Sequence, residues 1–321
     1  MKSPSSPQAP YVVGIDMGGT AIKAAAFSAA GTLLDRRTGP TSDGGMIGGL
    51  PAWADSVRRL MGELDEAQCR GLPHTARAGA SVGIATPGLA SRDQLSIASM
   101  PNRLVGIEGF NWTQWLGVPA PVLNDAHAAL LGEVWHGAAR GRSNVVMITL
   151  GTGVGGAAMV DGRLLRGHLG RAGHLGHVTV AFNSPVASIF GMPGALETAI
   201  GNYNVAQRSE GRFLDSRSLV EAATAGDRQA VAIWEKSIQA LGCAIGSFIN
   251  AFDPEIVVIG GGVAKAGNAL WKPLQRVLDE VEWRPYGTAV PIVPAELGDW
   301  SGAYGAAYAA LQFSPSDAQR K

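Results

Sequence analysis

The chain has 321 residues, of which 46% are hydrophobic and 16% charged, so it can build a folded core and is not a disordered chain. Lysine plus arginine and aspartate plus glutamate both number 26, and this zero net charge argues against a nucleic-acid or anionic-membrane partner. The only two cysteines, Cys69 and Cys243, exclude a disulfide framework and a cysteine-rich zinc site. The N-terminal segment lacks the apolar run of a secretory signal, so we expect a cytoplasmic protein.

The first predicted elements form a unit that occurs twice. Residues 12–20, Val-Val-Gly-Ile-Asp-Met-Gly-Gly-Thr, align with residues 145–153, Val-Val-Met-Ile-Thr-Leu-Gly-Thr-Gly. Each copy begins as an apolar strand, turns at glycines, continues as a second strand and reaches another turn, at Gly31 or at Asp161-Gly162. We therefore expect two related halves with a cleft between them.

The remaining apolar runs predict an α/β protein, because short strands alternate with longer helices. The predicted strands are Ala80–Ala85, Pro121–Leu123 and Ile256–Ile259, and the predicted helices are Ala126–Trp135, Ala230–Phe252, Ala269–Glu280 and Ala303–Leu311. We place an N-terminal domain at residues 1–120 and a C-terminal domain at 121–302. The last helix, about 303–321, is expected to pack back on the first domain.

Three local patterns suggest functions that their context does not support. Residues 151–156 match G-x-G-x-x-G, but a turn at residues 161–162 arrives where a dinucleotide-binding helix should run, so a nicotinamide-dependent oxidoreductase is rejected. Ser81 lies in a G-x-S-x-G pattern, yet inside a strand and not at a nucleophile elbow. The histidines His168, His174 and His177 could bind a metal, but such a cluster more often consists of polar site residues.

The repeated glycine turns carry the first functional signal. Backbone N–H groups in such turns bind phosphate oxygens, and two facing turns could hold a triphosphate. Asp16, at the end of the first strand, is of the type that holds Mg²⁺ against phosphates. Asn124-Asp125 follows a strand and precedes a helix, at the sheet edge where ligands bind, although an N-cap explains this pair equally well.

Taken in order, these motifs resemble the ROK family of sugar kinases and sugar-responsive repressors, within the actin/hexokinase/Hsp70-like superfamily. The resemblance covers about residues 11–311, and the ordered set is more specific than any single motif. The matching segments are residues 16–20, 85–88, 101–102, 124–126, 150–156, 173–177 and 252–262. The resemblance implies two actin-like (ribonuclease H-like) α/β domains flanking a cleft, and commonly a homodimer.

The resemblance also implies an ATP-dependent, glucokinase-like enzyme that transfers the γ-phosphate to a hexose hydroxyl, most readily the 6-OH. Asp125 would be the general base. Asp16 would organise Mg²⁺ through water. The implied sugar-binding residues are Asn102, Asn124, Asp125, His174, His177 and Glu197. The implied ATP-binding residues are Asp16, Gly18, Gly19, Thr20, Lys23, Gly151, Thr152, Gly153, Gly261 and Gly262.

Two departures from the family pattern bear on substrate and metal. His174 stands where the family has a glutamate, and a neutral imidazole offers one donor and one acceptor instead of two accepting oxygens. The family's zinc motif has lost all three cysteines, which are replaced by Ser188, Phe190 and Ala195. We therefore predict no zinc site, with this loop held by packing of Phe190, Met192 and Leu196.

Several alternatives stay open from the sequence. The acceptor could be glucose, another hexose, an N-acetylhexosamine or fructose, and the donor could be polyphosphate. A non-catalytic sugar-sensing regulator is disfavoured, because about ten residues precede the first strand, too few for a helix-turn-helix domain.

Overall fold

The computed structural model describes residues 11–68, 80–101 and 103–313. They fall into two compact units. The first comprises residues up to Gly137, Arg166–Arg171 and the segment from Asp299 onward, and the second comprises Ala138–Leu165 and Ala172–Gly298. None of the described helices is long and apolar enough to cross a membrane.

The first unit is built on a five-stranded sheet. Its elements up to residue 137 are β1 Tyr11–Met17, β2 Ala21–Ser28, β3 Leu33–Pro40, β4 Met46–Ile47, β5 Leu50–Pro51, α1 Ala52–Gln68, β6 Ser81–Thr86, β7 Leu89–Ala90, β8 Ile97–Ser99, α2 Trp112–Leu116, β9 Val122–Asn124 and α3 Asp125–His136. The sheet order is β3-β2-β1-β6-β9, with the first three strands antiparallel and the last two parallel to β1.

The second unit repeats this order of strands. Its elements are β10 Val145–Leu150, β11 Val154–Val160, β12 Arg163–Leu164, α4 Leu196–Ile200, α5 Val205–Arg208, α6 Ser216–Thr224, α7 Arg228–Phe252, β13 Ile256–Gly260, α8 Asn268–Val281 and β14 Ile292–Pro294. The sheet order is β12-β11-β10-β13-β14, with the same change from antiparallel to parallel pairing after the hairpin. The predicted duplication is therefore present in the sheet topology.

Helices bury each sheet, and the hydrophobic pattern predicts α7 and α8 of the second unit but not α1 of the first. In the first unit, α1 places Trp53, Leu60 and Leu64 against the apolar face of β1 and β6. In the second unit, the long α7 and α8 cover β10 and β13 with leucine, isoleucine and phenylalanine side chains. These two cores fix the strand ends that carry the polar residues described below.

The final helix, α9 Ser301–Gln312, belongs to the first unit and packs on the other face of its sheet. The fit is close because Gly14 and Gly83 have no side chains. A Cβ at Gly14 would lie 1.8 Å from the Ala303 carbonyl oxygen, and one at Gly83 1.9 Å from that of Ala306. Small residues on the facing strands and helix therefore bring the backbones together.

The division of the chain differs from the boundary expected at residue 120. Strand β9 pairs in parallel with β6, with Ile84 opposite Val122, so it completes the first sheet. The first unit then continues through α3 to Gly137. The physical reason is that the short strand at residues 122–124 pairs with β6, about 40 residues earlier in the chain.

Candidate active site

The Asn124-Asp125 pair lies at the junction of β9 and α3. Asn124 is the N-cap of α3, and its Oδ1 accepts hydrogen bonds from the N–H groups of Ala126 at 3.0 Å and His127 at 3.4 Å. Its Nδ2 donates to the Gly88 carbonyl oxygen at 3.0 Å. Asn124 therefore caps the helix, and Asp125 is the first residue of the helix.

The Asp125 side chain is partly buried, and this burial raises the pKa of its carboxyl group above the usual value for aspartate. Four contributions work against that shift, one of them a hydrogen bond from the backbone of Asp125 itself. The Ala126 N–H donates to Asp125 Oδ1 at 2.9 Å, the Arg103 guanidinium contributes positive charge, and Asn124 contributes a side-chain hydrogen bond. The result is a carboxyl group that holds a proton more readily than a solvated one, as suits a general base.

Asp16 is a second partly buried acid in the same unit. Burial, followed by the charge of Asp125, raises its pKa to about 7, although Lys23 acts in the opposite direction. Lys23 lies directly across the β1–β2 ladder from Asp16. Gly302 of α9 leaves room for the carboxylate, because a Cβ there would lie 2.6 Å from Asp16 Oδ2. Two acids with mutual repulsion and little solvation form a place where a cation would be stabilised.

The first glycine turn joins β1 to β2. The Gly18 N–H closes this turn by donating to the Ala21 carbonyl oxygen at 2.9 Å, and Thr41 Oγ1 donates to the Gly18 carbonyl oxygen at 2.7 Å. Gly19 and Thr20 at the tip are exposed. The Gly18 N–H is therefore used to close the turn, and Gly19 and Thr20 are the exposed residues at its tip.

The second glycine turn, in the other unit, joins β10 to β11. The Gly151 N–H donates to the Gly153 carbonyl oxygen at 3.0 Å, and the N–H of Tyr203 donates to the Thr152 carbonyl oxygen at 2.9 Å. A cavity of about 590 Å³ lies beside this turn within the unit, lined by Gly151, Thr152, Asn202, Ser216, Arg217, Val220, Glu221, Gly262, Val263, Lys265 and Ala266. The turn and the glycines after β13 thus border one cavity.

A glycine is required at position 261 by two independent features. Its φ is +91°, and a Cβ there would lie 2.3 Å from the Leu150 carbonyl oxygen at the end of β10. This close approach holds the end of β13 against the start of the second glycine turn. Gly262, the next residue, faces open space and lines the cavity.

His174, His177 and Glu197 come together in the second unit. The two imidazole rings lie 6.2 Å apart and nearly parallel, and His177 Nδ1 lies 3.5 Å from the buried Glu197 Oε1. Burial, followed by the charge of His177, lowers the pKa of His174 to about 4, so His174 is neutral at physiological pH. Glu197 Oε2 lies 3.1 Å from the Cβ position of Gly153, which places the carboxylate against the second turn.

The ROK family model matches residues 12–313 of the chain. The chain belongs to the ROK family. A glucokinase from Halalkalibacterium halodurans is 32% identical over 327 residues, covering 94% of this chain and 95% of that protein. An N-acetylmannosamine kinase from Citrobacter koseri is 33% identical over 258 residues, covering 78% of this chain and 83% of that protein.

A solved structure extends the comparison to the fold. It is that of a ROK family glucokinase from Streptomyces griseus in complex with glucose and AMPPNP, with a TM-score of 0.72 and 25% identity, covering 94% of this chain and 100% of that one. The α/β fold with two actin-like domains, predicted from the sequence, is confirmed for this ROK chain. The rejection of the dinucleotide motif is also supported, because residues 154–160 form a strand and not a helix.

In this ROK chain, the loop that replaces the zinc motif is held differently from the sequence prediction. Leu196 is fully buried, but Phe190 is 53% exposed and its ring packs against His177, with ring centroids 5.1 Å apart, so packing of Phe190 holds the loop only in part. Ser188, at the first cysteine position, accepts hydrogen bonds through Oγ from the N–H groups of Phe190 and Met192, both at 3.3 Å. Backbone hydrogen bonds, such as that from the Val180 N–H to the Gly194 carbonyl oxygen at 2.9 Å, complete the loop.

The structure brings the sequence-predicted residues together in two groups, one within each unit. The first group contains Asp16, Gly18, Gly19, Thr20, Lys23, Asn124 and Asp125, and the second contains Gly151, Thr152, Gly153, His174, His177, Glu197, Gly261 and Gly262. Asn102 lies outside the described residues.

Sequence reasoning missed Arg103, which lies against the first turn and acts on Asp125. The one sequence feature that could have indicated Arg103 is its position directly after Pro101-Asn102, as a basic residue next to a matching motif. Its relation to the turn is visible only in the folded chain.

Proposed function

We propose that this chain is an ATP-dependent sugar kinase that transfers the γ-phosphate of ATP to the 6-OH of a hexose. The observation that carries the proposal is the partly buried Asp125 carboxyl group at the carboxyl end of β9, in one unit with Asp16 and an exposed glycine turn. The glucokinase relative and the glucose–AMPPNP complex of a related glucokinase support hexose and ATP as the substrates.

The nucleotide phosphates would lie at the two glycine turns, where the Gly18 and Gly151 N–H groups close the turns themselves. Gly18, Gly19, Thr20 and Lys23 on one hairpin and Gly151, Thr152 and Gly153 on the other are assigned to the phosphates. Gly261 and Gly262 are assigned to the adenosine, an assignment supported by the cavity of about 590 Å³ that Gly262 lines. ATP is the donor that we propose, and polyphosphate is the alternative that the sequence leaves open.

Mg²⁺ is assigned to Asp16, with water between the ion and the carboxylate. The residues present fit a cation, because burial and the charge of Asp125 raise the pKa of Asp16 to about 7, and a positive charge would relieve both effects. When bound, Mg²⁺ would neutralise charge on the phosphate oxygens.

The sugar is assigned to Asn102, Asn124, Asp125, His174, His177 and Glu197. The contacts of Asn124 limit its role, since its Oδ1 already accepts two N–H groups and one N–H of its amide serves the Gly88 carbonyl oxygen. The hydrogen bond to Asp125 uses the amide as well, so Asn124 would donate to a sugar oxygen only in exchange for one of these contacts. Glu197 offers accepting oxygens in a buried position, which suits sugar hydroxyl donors.

In the reaction, Asp125 accepts the proton of the 6-OH as that oxygen attacks the γ-phosphorus. A bond forms between the sugar oxygen and phosphorus, the bond from phosphorus to the bridging oxygen breaks, and ADP leaves with that electron pair. General base catalysis contributes about 10²–10⁴-fold in rate. The remaining acceleration comes from positioning and charge stabilisation.

An N-acetylhexosamine is the second candidate substrate, favoured by one specific observation. His174 replaces the glutamate of the family pattern, and its lowered pKa of about 4 keeps it neutral. A neutral imidazole can donate one hydrogen bond to an acetamido carbonyl oxygen, which a carboxylate cannot do. The N-acetylmannosamine kinase relative supports the same substrate class.

A coupled ADP-release screen over glucose, mannose, fructose, N-acetylglucosamine and N-acetylmannosamine tests the proposal. We expect activity with a hexose, and loss of about 10²–10⁴-fold in kcat for Asp125→Asn. The matched control is Asp93→Asn, an exposed aspartate of the same unit, which should keep full activity. ADP release with none of these sugars, or near wild-type kcat for folded Asp125→Asn, would contradict the proposal.

The cytoplasmic location and the homodimeric assembly stay predictions from the sequence and the family resemblance. So does the expected absence of zinc. Size-exclusion chromatography with light scattering would measure the assembly, and metal analysis of the purified protein would measure zinc.

A further inference from the structure

Arg103 lies against the tip of the first glycine turn. A Cβ added to Gly19 would be 2.1 Å from Arg103 Nη2, 3.3 Å from Cζ and 3.8 Å from Nε. The guanidinium therefore occupies the space that any other residue at position 19 would fill. Gly19 is exposed at the turn tip, so the cation lies beside the turn that is assigned to phosphate.

The same guanidinium is within electrostatic reach of Asp125. Burial raises the pKa of Asp125, and Arg103 is the cation that acts against this shift. Arg103 itself is exposed, and within residues 11–68, 80–101 and 103–313 no carboxylate lies within ion-pair distance of it. Among these residues, the positive charge of Arg103 is therefore not paired with a carboxylate, and it lies beside the first turn and acts on Asp125.

The backbone that carries Arg103 is anchored, so this placement is not that of a loose surface side chain. Leu104, the next residue, is buried, with 1% of its surface exposed. The Asp43 carboxylate accepts hydrogen bonds from the N–H groups of Leu104 at 2.8 Å and Val105 at 3.0 Å. These hydrogen bonds tie the segment to the loop after β3, and the burial of Leu104 ties it to the core of the first unit.

We propose that Arg103 is a further catalytic residue, which binds the oxygens of the γ-phosphoryl group during its transfer to the sugar. This assignment rests on the proposed kinase function. As the bond from phosphorus to the bridging oxygen breaks and the bond to the sugar oxygen forms, negative charge is spread over the phosphoryl oxygens, and a guanidinium donates to two of them at once. The hydroxyl proton goes to Asp125, whose carboxylate form Arg103 also favours.

Arg103→Gln removes this charge but keeps a hydrogen-bond donor. We expect kcat to fall about 10²–10³-fold, as for the loss of one donor to transition-state charge, with the KM of the sugar changed less than about threefold. Arg103→Lys should recover part of kcat, since it keeps the charge without the planar fork. Arg92→Gln, which changes an exposed arginine of the same unit, is the matched control and should keep wild-type kcat.

Three further measurements separate a catalytic role of Arg103 from a structural one. Guanidinium chloride at millimolar concentration should partly restore kcat in Arg103→Ala and leave Arg92→Ala unchanged. Gly19→Ala should displace the guanidinium, so its effect on kcat should be smaller in an Arg103→Gln background than in the wild type. Thermal unfolding of each variant should stay within about 2 °C of the wild type, because the substituted residues are exposed.

The outcomes distinguish this inference from the function on which it rests. If the wild type phosphorylates no sugar in the screen, the proposed function fails and the assignment of Arg103 fails with it. If the wild type is active and folded Arg103→Gln retains the kcat of Arg92→Gln, only the assignment of Arg103 is overturned.

Discussion

The hairpin β1–β2 and the hairpin β10–β11 follow the same course and differ in the residues just before their turns. In the first, Asp16 lies opposite Lys23 across the ladder. In the second, the aligned position is Thr149, and it lies opposite Gly155. Two partly buried acids and Arg103 accompany the first turn, whereas the second turn borders a cavity and a buried glutamate. One backbone pattern thus supports two chemical environments, and the ionisable groups that we assign to phosphoryl transfer lie at the first.

The largest effect on catalysis should come from removing the Asp16 carboxylate of the first hairpin. The aligned change in the second hairpin should have a much smaller effect. We expect Asp16→Asn to lower kcat/KM about 10²–10³-fold, because a carboxylate that favours the cation is lost. Thr149→Val, the aligned change in β10, should cost less than about tenfold, since it removes no charge. The measurement is steady-state kinetics at several Mg²⁺ concentrations. Equal losses in the two variants would show that the hairpins share the charge-dependent step, and the comparison would fail.

Asp16→Asn should also increase the free energy of unfolding, an effect that Thr149→Val should not share. Because the pKa of Asp16 is raised to about 7 from 3.8, the folded state keeps a proton that the unfolded state has released. The free energy of unfolding therefore falls as pH rises from about 4 to about 7 and is lowest above pH 7. Asp16→Asn removes this cost, on the order of 4 kcal/mol above pH 7 at one pKa unit per 1.36 kcal/mol.

Urea unfolding at two pH values measures this effect with its sign. The stability gain of Asp16→Asn over the wild type should be about 1 kcal/mol larger at pH 8 than at pH 6, because the wild type still loses stability in that interval. Thr149→Val is the control and should show no pH-dependent difference. A gain for Asp16→Asn that shrinks with rising pH would mean that the Asp16 carboxylate is stabilised, and not destabilised, by its surroundings.

The two sheets also differ in what lies against their central strands. Gly14 of β1 packs on the backbone of α9, whereas the aligned residue of β10 is Met147, buried with 1% of its surface exposed. We expect Gly14→Ala to cost about 1–3 kcal/mol, because the added Cβ would lie 1.8 Å from the Ala303 carbonyl oxygen. Met147→Ala should cost about 2–5 kcal/mol for the opposite reason, a cavity. Chemical denaturation measures both, and a neutral Gly14→Ala would contradict the close packing of α9.

Sequence patterns predicted the local elements well because hairpins and caps depend on neighbouring residues. The turn at Asp161-Gly162 has φ of +51° and +72°, as an Asp-Gly hairpin requires, and α3 begins at the predicted Asn124-Asp125 junction. The domain boundary was harder to place, because nothing local in residues 122–124 identifies β6 as the partner strand.

The residues that sequence reasoning misjudged depend on contacts distant in the chain. Arg103 was missed because its relation to Gly19 spans 84 positions of the sequence and follows no motif. Phe190 was expected to help hold its loop by packing, and its ring lies edge-on to His177 at 5.1 Å with about half of its surface exposed. Each contact that sequence reasoning missed therefore joins segments that only the fold brings together.

The smallest expected effect concerns the loop of residues 179–195 in the second unit. Ser188→Ala should lower the free energy of unfolding by about 0.5–1.5 kcal/mol, since the Phe190 and Met192 N–H groups lose their acceptor. Ser184→Ala, in the same loop, is the matched comparison because it removes a single hydrogen bond, from the Val186 N–H. Ser188→Ala should cost more, since two N–H groups depend on Ser188 and one on Ser184. Equal thermal shifts for the two variants would mean that the backbone hydrogen bonds hold the loop without Ser188.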